Sequence, residues 1–221
     1  MKVLTSLQEE FIYALSKSSL RDKFFLTGGT ALAAFYLYHR YSEDMDFFTE
    51  IEGEVGRIVP LVKDIVQEIG ATIDIRREYE TFLECSLTKE NERIRLDFAQ
   101  DIPYRLQSLI QKAPYNIFVD NELDMACNKL SALFDRYEAK DFVDLYCLSK
   151  EFMDFWEIYK NARKKHIGME EYWLAVSLKG VDKIEVFPRM IKPVTIDELK
   201  EFFYDKIKNL MERIKDSGKQ G

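Results

Sequence analysis

The chain has 221 residues, 47% hydrophobic and 32% charged, a globular composition that excludes a disordered or collagen-like polymer and suffices for an independent core. With 39 acidic against 32 basic residues its net charge is −7, too acidic for a passive nucleic-acid coat. Cys85, Cys127 and Cys147 lie far apart, and only His39 and His166 accompany them, so neither a disulfide framework nor a Cys/His zinc site is expected, and any metal would be held by oxygen.

No apolar run approaches the roughly 18 residues that span a bilayer, and residues 1–19 lack a signal-peptide pattern. A soluble cytoplasmic chain with no membrane partner is the expectation. Charge is uneven along it. Residues 1–160 carry 19 Lys+Arg against 29 Asp+Glu (net −10), whereas 161–221 carry 13 against 10 (net +3). An acidic first part suits a site that gathers cations, and the basic tail reads most simply as a solvated helical face, with contact to a polyanion as the alternative.

In chain order, residues 5–18 predict an amphipathic helix capped by Thr5, with Leu7, Phe11, Ile12 and Leu15 at helical spacing. Residues 23–26 read as a short strand broken by Gly28-Gly29, residues 30–39 as a buried helix, 45–49 as a second strand, and 54–69 as a helix stopped by Gly70. Period-two alternation between 72 and 99 predicts three strands with a hairpin at 89–91. After Pro114 the pattern turns helical, with helices expected at 120–134, 140–159, 169–178 and 196–215. The chain is therefore expected to be α+β: a mixed α/β part, residues 1–118, then a helical part, 119–221. No internal repeat or low-complexity linker interrupts it.

The densest stretch for chemistry is 26–49, LTGGTALAAFYLYHRYSEDMDFFT. Adjacent glycines between strand and helix let backbone N–H groups approach an anion, although a tight turn alone would also use them. Asp44 and Asp46 alternate in a strand, so both carboxylates face one side about 7 Å apart, where a divalent cation would relieve their repulsion. A solvated turn is the plainer use of such a pair. Asp97 sits within the apolar run Ile94–Ala99, where a carboxylate needs a metal or an arginine such as Arg93 or Arg95.

Gly28-Gly29-Thr30, then Asp44-Met45-Asp46, then a lone strand Asp97 resemble the polymerase-beta-like nucleotidyltransferase pattern. More narrowly, the first stretch is similar to the opening motif of AbiEii/AbiGii-type nucleotidyltransferase toxins. Residues 128–136 (NKLSALFDR), running into 140–146 (KDFVDLY), resemble that family's downstream motif of a helix lysine, an arginine and a basic-Asp-x-x-Asp-Leu segment. The resemblance covers residues 24–150 and little beyond. It implies a polymerase-beta-like core with a small mixed sheet flanked by helices, followed by a helical part that completes the active-site cleft.

It also implies Mg²⁺-dependent transfer of a nucleoside monophosphate from an NTP to an RNA end, such as that of a tRNA, or to a protein hydroxyl, with release of pyrophosphate. Mn²⁺ is an alternative ion. Asp44, Asp46 and Asp97 would be the metal ligands, and with Lys129 the catalytic set. Gly28, Gly29, Thr30, Ser42, Lys129 and Arg136 would bind the nucleotide. Asp141 or Asp144 would orient Lys129 or Arg136; in one continuous helix Asp144 would share their stripe and Asp141 would not. The resemblance further implies a toxin with an antitoxin partner. Two other readings stay open at this point, a sugar-nucleotide transferase using Asp-x-Asp and a catalytically silent nucleotide- or partner-binding protein that keeps the fold.

Overall fold

A computed structural model describes residues 2–217. The chain divides into two compact units, one ending at Asn121 and the other beginning at Glu122.

The first unit opens with α1 (Ser6–Lys17), whose start is locked reciprocally: the Gln8 amide donates to Thr5 Oγ1 at 3.2 Å, and the Thr5 amide to Gln8 Oε1 at 2.9 Å. Then follow β1 (Phe25–Thr27), α2 (Gly28–Leu32) and β2 (Asp44–Thr49). α3 (Val59–Glu68) precedes β3 (Thr72–Glu78), β4 (Phe82–Lys89) and β5 (Glu92–Gln100), and a small hairpin of β6 (Ile110–Lys112) and β7 (Ile117–Val119) completes the unit. The strands form one mixed sheet in the order β3-β4-β5-β2-β1-β7-β6. β2 runs parallel to β5 and β1 parallel to β7, while the other neighbours are antiparallel.

Period-two alternation gives this sheet two unlike faces. Met45 and Phe47 of β2, Leu83, Cys85 and Leu87 of β4, and Ile94, Leu96 and Phe98 of β5 are all buried on one of them. α1 and α3 cover that face: Phe11 meets Phe47 edge-on at 5.9 Å, Phe47 stacks on Phe98 at 5.2 Å, and α3 buries Val62, Ile65 and Val66. Each such phenylalanine removed from water contributes about 1.5–3 kcal/mol. The intervening residues, Asp44, Asp46, Glu84, Arg95 and Asp97, share the opposite face.

The second unit is helical: α4 (Glu122–Asp135), α5 (Ala139–Glu151), α6 (Phe155–Lys165), α7 (Glu171–Leu178) and α8 (Ile196–Ser217). Its core includes Leu130, Leu133, Phe142, Leu145, Phe155 and Phe203, with Phe142 edge-on to Phe203 at 5.2 Å. Among the described residues no helix is long and apolar enough to cross a membrane.

Three elements differ from the sequence expectation. The single helix expected at 140–159 is two, because the Asp154 carboxylate accepts the Trp156 amide at 2.8 Å and starts a new helix. The helix after the glycines begins at Gly28 itself and widens into a π turn over Ala33–Leu37, ending at Tyr38 in the left-handed region (φ 52°). The hairpin of β6 and β7, unanticipated in the sequence, places β7 beside β1.

Candidate active site

The carboxylates of the first unit owe their arrangement to register. Asp46 is the cross-strand partner of Asp97, and Asp97 in turn of Glu84 on β4. On its other side Asp46 pairs with Thr27 at the end of β1. Because neighbouring strands lie about 4.8 Å apart, Glu84, Asp97, Asp46 and Thr27 form one row across four strands, with Asp44 one step along β2 and opposite Arg95. The three acids named from the sequence thus share one face.

Arg95 holds Asp97 with two charge-assisted bonds, Nε to Oδ1 at 2.9 Å and Nη2 to Oδ2 at 2.6 Å, and also lies 3.6 Å from Glu84. Arg77 reaches Glu84 at 3.3 Å. Burial pushes the Asp97 carboxyl above its ordinary range; Arg95 pulls it back, and the charges of Glu84 and Asp44 push it further up. A carboxyl that is harder to ionise when folded adds stability below its ordinary value of 3.8 and loses it as pH climbs through the raised folded value. Asp97→Asn lacks this titration. The wild type is therefore expected to lose unfolding free energy relative to Asp97→Asn as pH rises above 3.8, read from urea melts at each pH; a gap that widens in favour of the wild type would contradict it.

The two glycines serve different neighbours. Gly28 has φ +72°, open to glycine at little cost, and a Cβ there would collide with Oδ2 of Asp46 and stand 3.0 Å from its Cγ. At Gly29 a Cβ would strike Nη2 of Arg40 and lie 3.1 Å from Ser42 Oγ. Arg40 is buried and donates to the Tyr41 carbonyl at 3.0 Å. Thr30 is also buried, and its hydroxyl donates to the backbone carbonyl of Asp44, tying the helix start to the acidic strand. The Ser42 carbonyl accepts from the buried Gln8 side chain at 2.8 Å. Beyond Thr27, the buried Asp120 takes the Thr27 hydroxyl at 3.0 Å and Arg105 at 2.7 Å.

The second unit holds the remaining candidates. α4 stops at Asp135 and α5 starts at Ala139, and this break lets α5 return toward Lys129. Lys129 Nζ lies 2.7 Å from Asp141 Oδ1 and 2.7 Å from Asp144 Oδ2, while Arg136 Nε donates to Asp141 Oδ2 at 2.8 Å. Both acids are fully buried and Lys129 is nearly so. Asp141 and Asp144, three apart on α5, share one helical face. The two acids act together on Lys129, with Arg136 on Asp141. Lys140 instead pairs with Glu138 at 3.0 Å.

Sequence reasoning placed Arg95 beside Asp97 but missed Glu84, Gln8 and Asp120. Glu84 alternates within an apolar strand as Asp97 does, a signal that was available; the others show only in three dimensions.

The donor set suits a hard cation. Carboxylate oxygens on one face match Mg²⁺, and the absence of a side chain at Gly28 makes room for the Asp46 carboxylate itself. Among the described residues, however, no three acidic, histidine or cysteine side chains stand in a ready coordination group, because Asp97 is turned onto Arg95. Asp44, Asp46 and Asp97 are the residues that would hold such an ion.

Comparison with known proteins bears on the fold and the family. An uncharacterized protein of Aquifex aeolicus is 28% identical over 214 residues, covering 96% of this chain and all of that protein. Among solved structures, a candidate nucleotidyltransferase from Helicobacter pylori superposes with a TM-score of 0.63 at 16% identity, covering 95% of this chain and 94% of that one. MenT4, a nucleotidyltransferase toxin from Mycobacterium tuberculosis, does so with a TM-score of 0.58 at 16% identity, covering 93% and 82%. At such identities the likeness shows the fold. The family of nucleotidyl transferase AbiEii toxins of type IV toxin–antitoxin systems matches residues 10–218, nearly the whole length, and the chain belongs to that family of nucleotidyltransferases.

Proposed function

We propose that this nucleotidyltransferase moves a nucleoside monophosphate from an NTP to a hydroxyl of an RNA or protein acceptor. The acceptor oxygen bonds to the α-phosphorus, the bond to the β-phosphate oxygen breaks, and pyrophosphate leaves. The observation that carries this reading is the registered row of Asp46 and Asp97, with Asp44 beside it, against a glycine that admits no side chain. Mg²⁺, or Mn²⁺ in its place, would neutralise the charge on the attacking and leaving oxygens when bound. Asp97, as the third carboxylate of the site, would help deprotonate the acceptor hydroxyl. The amides of Gly28 and Gly29, with Thr30 and Ser42 ordering the segment, are assigned to the phosphates.

Lys129 and Arg136 are assigned to the triphosphate, held by Asp141 and Asp144. In the cell the activity would be that of a toxin restrained by an antitoxin.

One observation favours a second reading. The bidentate Arg95–Asp97 pair satisfies the third carboxylate without any ion, as a silent nucleotide-binding protein would allow. Incubation with each α-³²P-NTP, Mg²⁺ and either total RNA or total protein separates the two. Label in one acceptor pool, lost with EDTA, is expected; binding of NTP with no label in either pool would establish the silent protein.

A further inference from the structure

The C-terminal unit carries a feature that the transfer chemistry does not use. Lys160, Arg163 and Lys164 recur on one flank of α6, and among the described residues none of the three is in an ion pair. Their neighbour Lys165 is different, since it is buried on Asp124 at 2.6 Å. Elsewhere in this chain of net charge −7, surface cations such as Lys2 and Lys192 sit on acids, at Glu9 and Glu151. Last-turn cations complement the dipole of α6, but Lys160 lies a full turn too early for that role.

These cations border two contiguous grooves of about 540 and 480 Å³ that share Trp156, Lys160 and Lys164. Arg213 of α8 places its guanidinium carbon 3.9 Å from the centre of the Trp156 ring and exposes about half of its side chain. The larger groove holds four cations against one acid, Glu171, which stands 4.0 Å from Arg213. From Trp156 to Lys164 the stripe runs about 12 Å, enough to meet more than one phosphate of a strand.

We propose that this face of α6 and α8 docks single-stranded RNA, with phosphates on Lys160, Arg163 and Lys164 and an unpaired base stacked on the outer plane of Arg213. A planar cation backed by an aromatic ring and flanked by lysines without a carboxylate partner, Lys164 donating only to Asn161 at 3.1 Å, is what a strand with exposed bases needs, and an acidic peptide would leave the stacking plane unused. The proposal deepens the transfer reading, on which it rests for the choice of RNA over DNA.

The test is fluorescence anisotropy of the full chain with a labelled mixed-sequence single-stranded RNA of about 20 nucleotides, without NTP and in EDTA. Binding is expected to weaken with salt. Lys160→Glu with Lys164→Glu should cut affinity about tenfold or more and flatten the salt slope by about 1.4, the contribution of two phosphates. Arg213→Ala should weaken single-stranded RNA more than a duplex of the same sequence. Should the charge reversal unfold the chain by circular dichroism, Lys160→Ala with Lys164→Ala replaces it, with the same slope expected. Unchanged affinity in the folded variants, equal loss for duplex and single strand, DNA bound as tightly as RNA, or displacement by polyglutamate at equal charge would each overturn the proposal. Asp46→Asn should bind RNA as the wild type does, so failure of the transfer chemistry and failure of this surface read out separately.

Discussion

Asp46→Asn is expected to lower Mg²⁺-dependent label transfer by about a thousandfold or more, near 4 kcal/mol of transition-state stabilisation, with no loss of folding in metal-free buffer. Asp46 sits at the centre of the row, between Thr27 and Asp97 across the strands and against Gly28. Asparagine keeps its shape, so Gly28 and the strand pairing have no reason to move. What it removes is one negative charge among several, which lowers like-charge repulsion while taking away a ligand that a hard cation needs. The melting temperature in EDTA should stay level or rise slightly, and any rise that Mg²⁺ produces in the wild type should vanish in the variant. A variant that melts well below the wild type would make Asp46 a structural partner, and one that transfers label normally would remove it from the site.

The second large effect concerns stability. Lys129→Met is expected to cost about 3–5 kcal/mol, because it leaves Asp141 and Asp144 buried with their shared cation gone. That corresponds to a melting temperature lower by about 10 °C or more. Adding Asp144→Asn should recover part of the loss, since it neutralises one of the stranded acids while Arg136 still serves the other. If Lys129→Met melts like the wild type, the cluster is not the keystone of α4 and α5. Its activity must then be compared at a temperature where both proteins are folded, so that loss of transfer is not mistaken for loss of fold.

Much of the first unit could be read in advance because alternation is a local signal. Residues 72–99 announce three strands, and with the apolar positions of β2 they determine which side chains share a face, so the alignment of Asp44, Asp46 and Asp97 was legible in kind if not in register. The hairpin of β6 and β7 was not legible, as three-residue strands give alternation nothing to repeat over. The choice between Asp141 and Asp144 was likewise closed to sequence reasoning, because it depends on the turn at 136–138. A continuous helix would have sent Asp141 elsewhere, and the break brings both acids to one lysine. The partners of Gly28 and Gly29 could not be guessed either. Two glycines in a turn say that something comes close, and the structure names a carboxylate for one and a guanidinium for the other.

The reciprocal lock at the start of α1 reaches further than the helix it begins. Gln8 uses its oxygen to fasten Thr5 and its nitrogen to grip the Ser42 carbonyl, so a single amide is both a helix clasp and a tether for the segment leading into Asp44. Engineering that loosens the first helix, an affinity label fused hard against it for instance, acts on that approach loop as directly as a substitution within it.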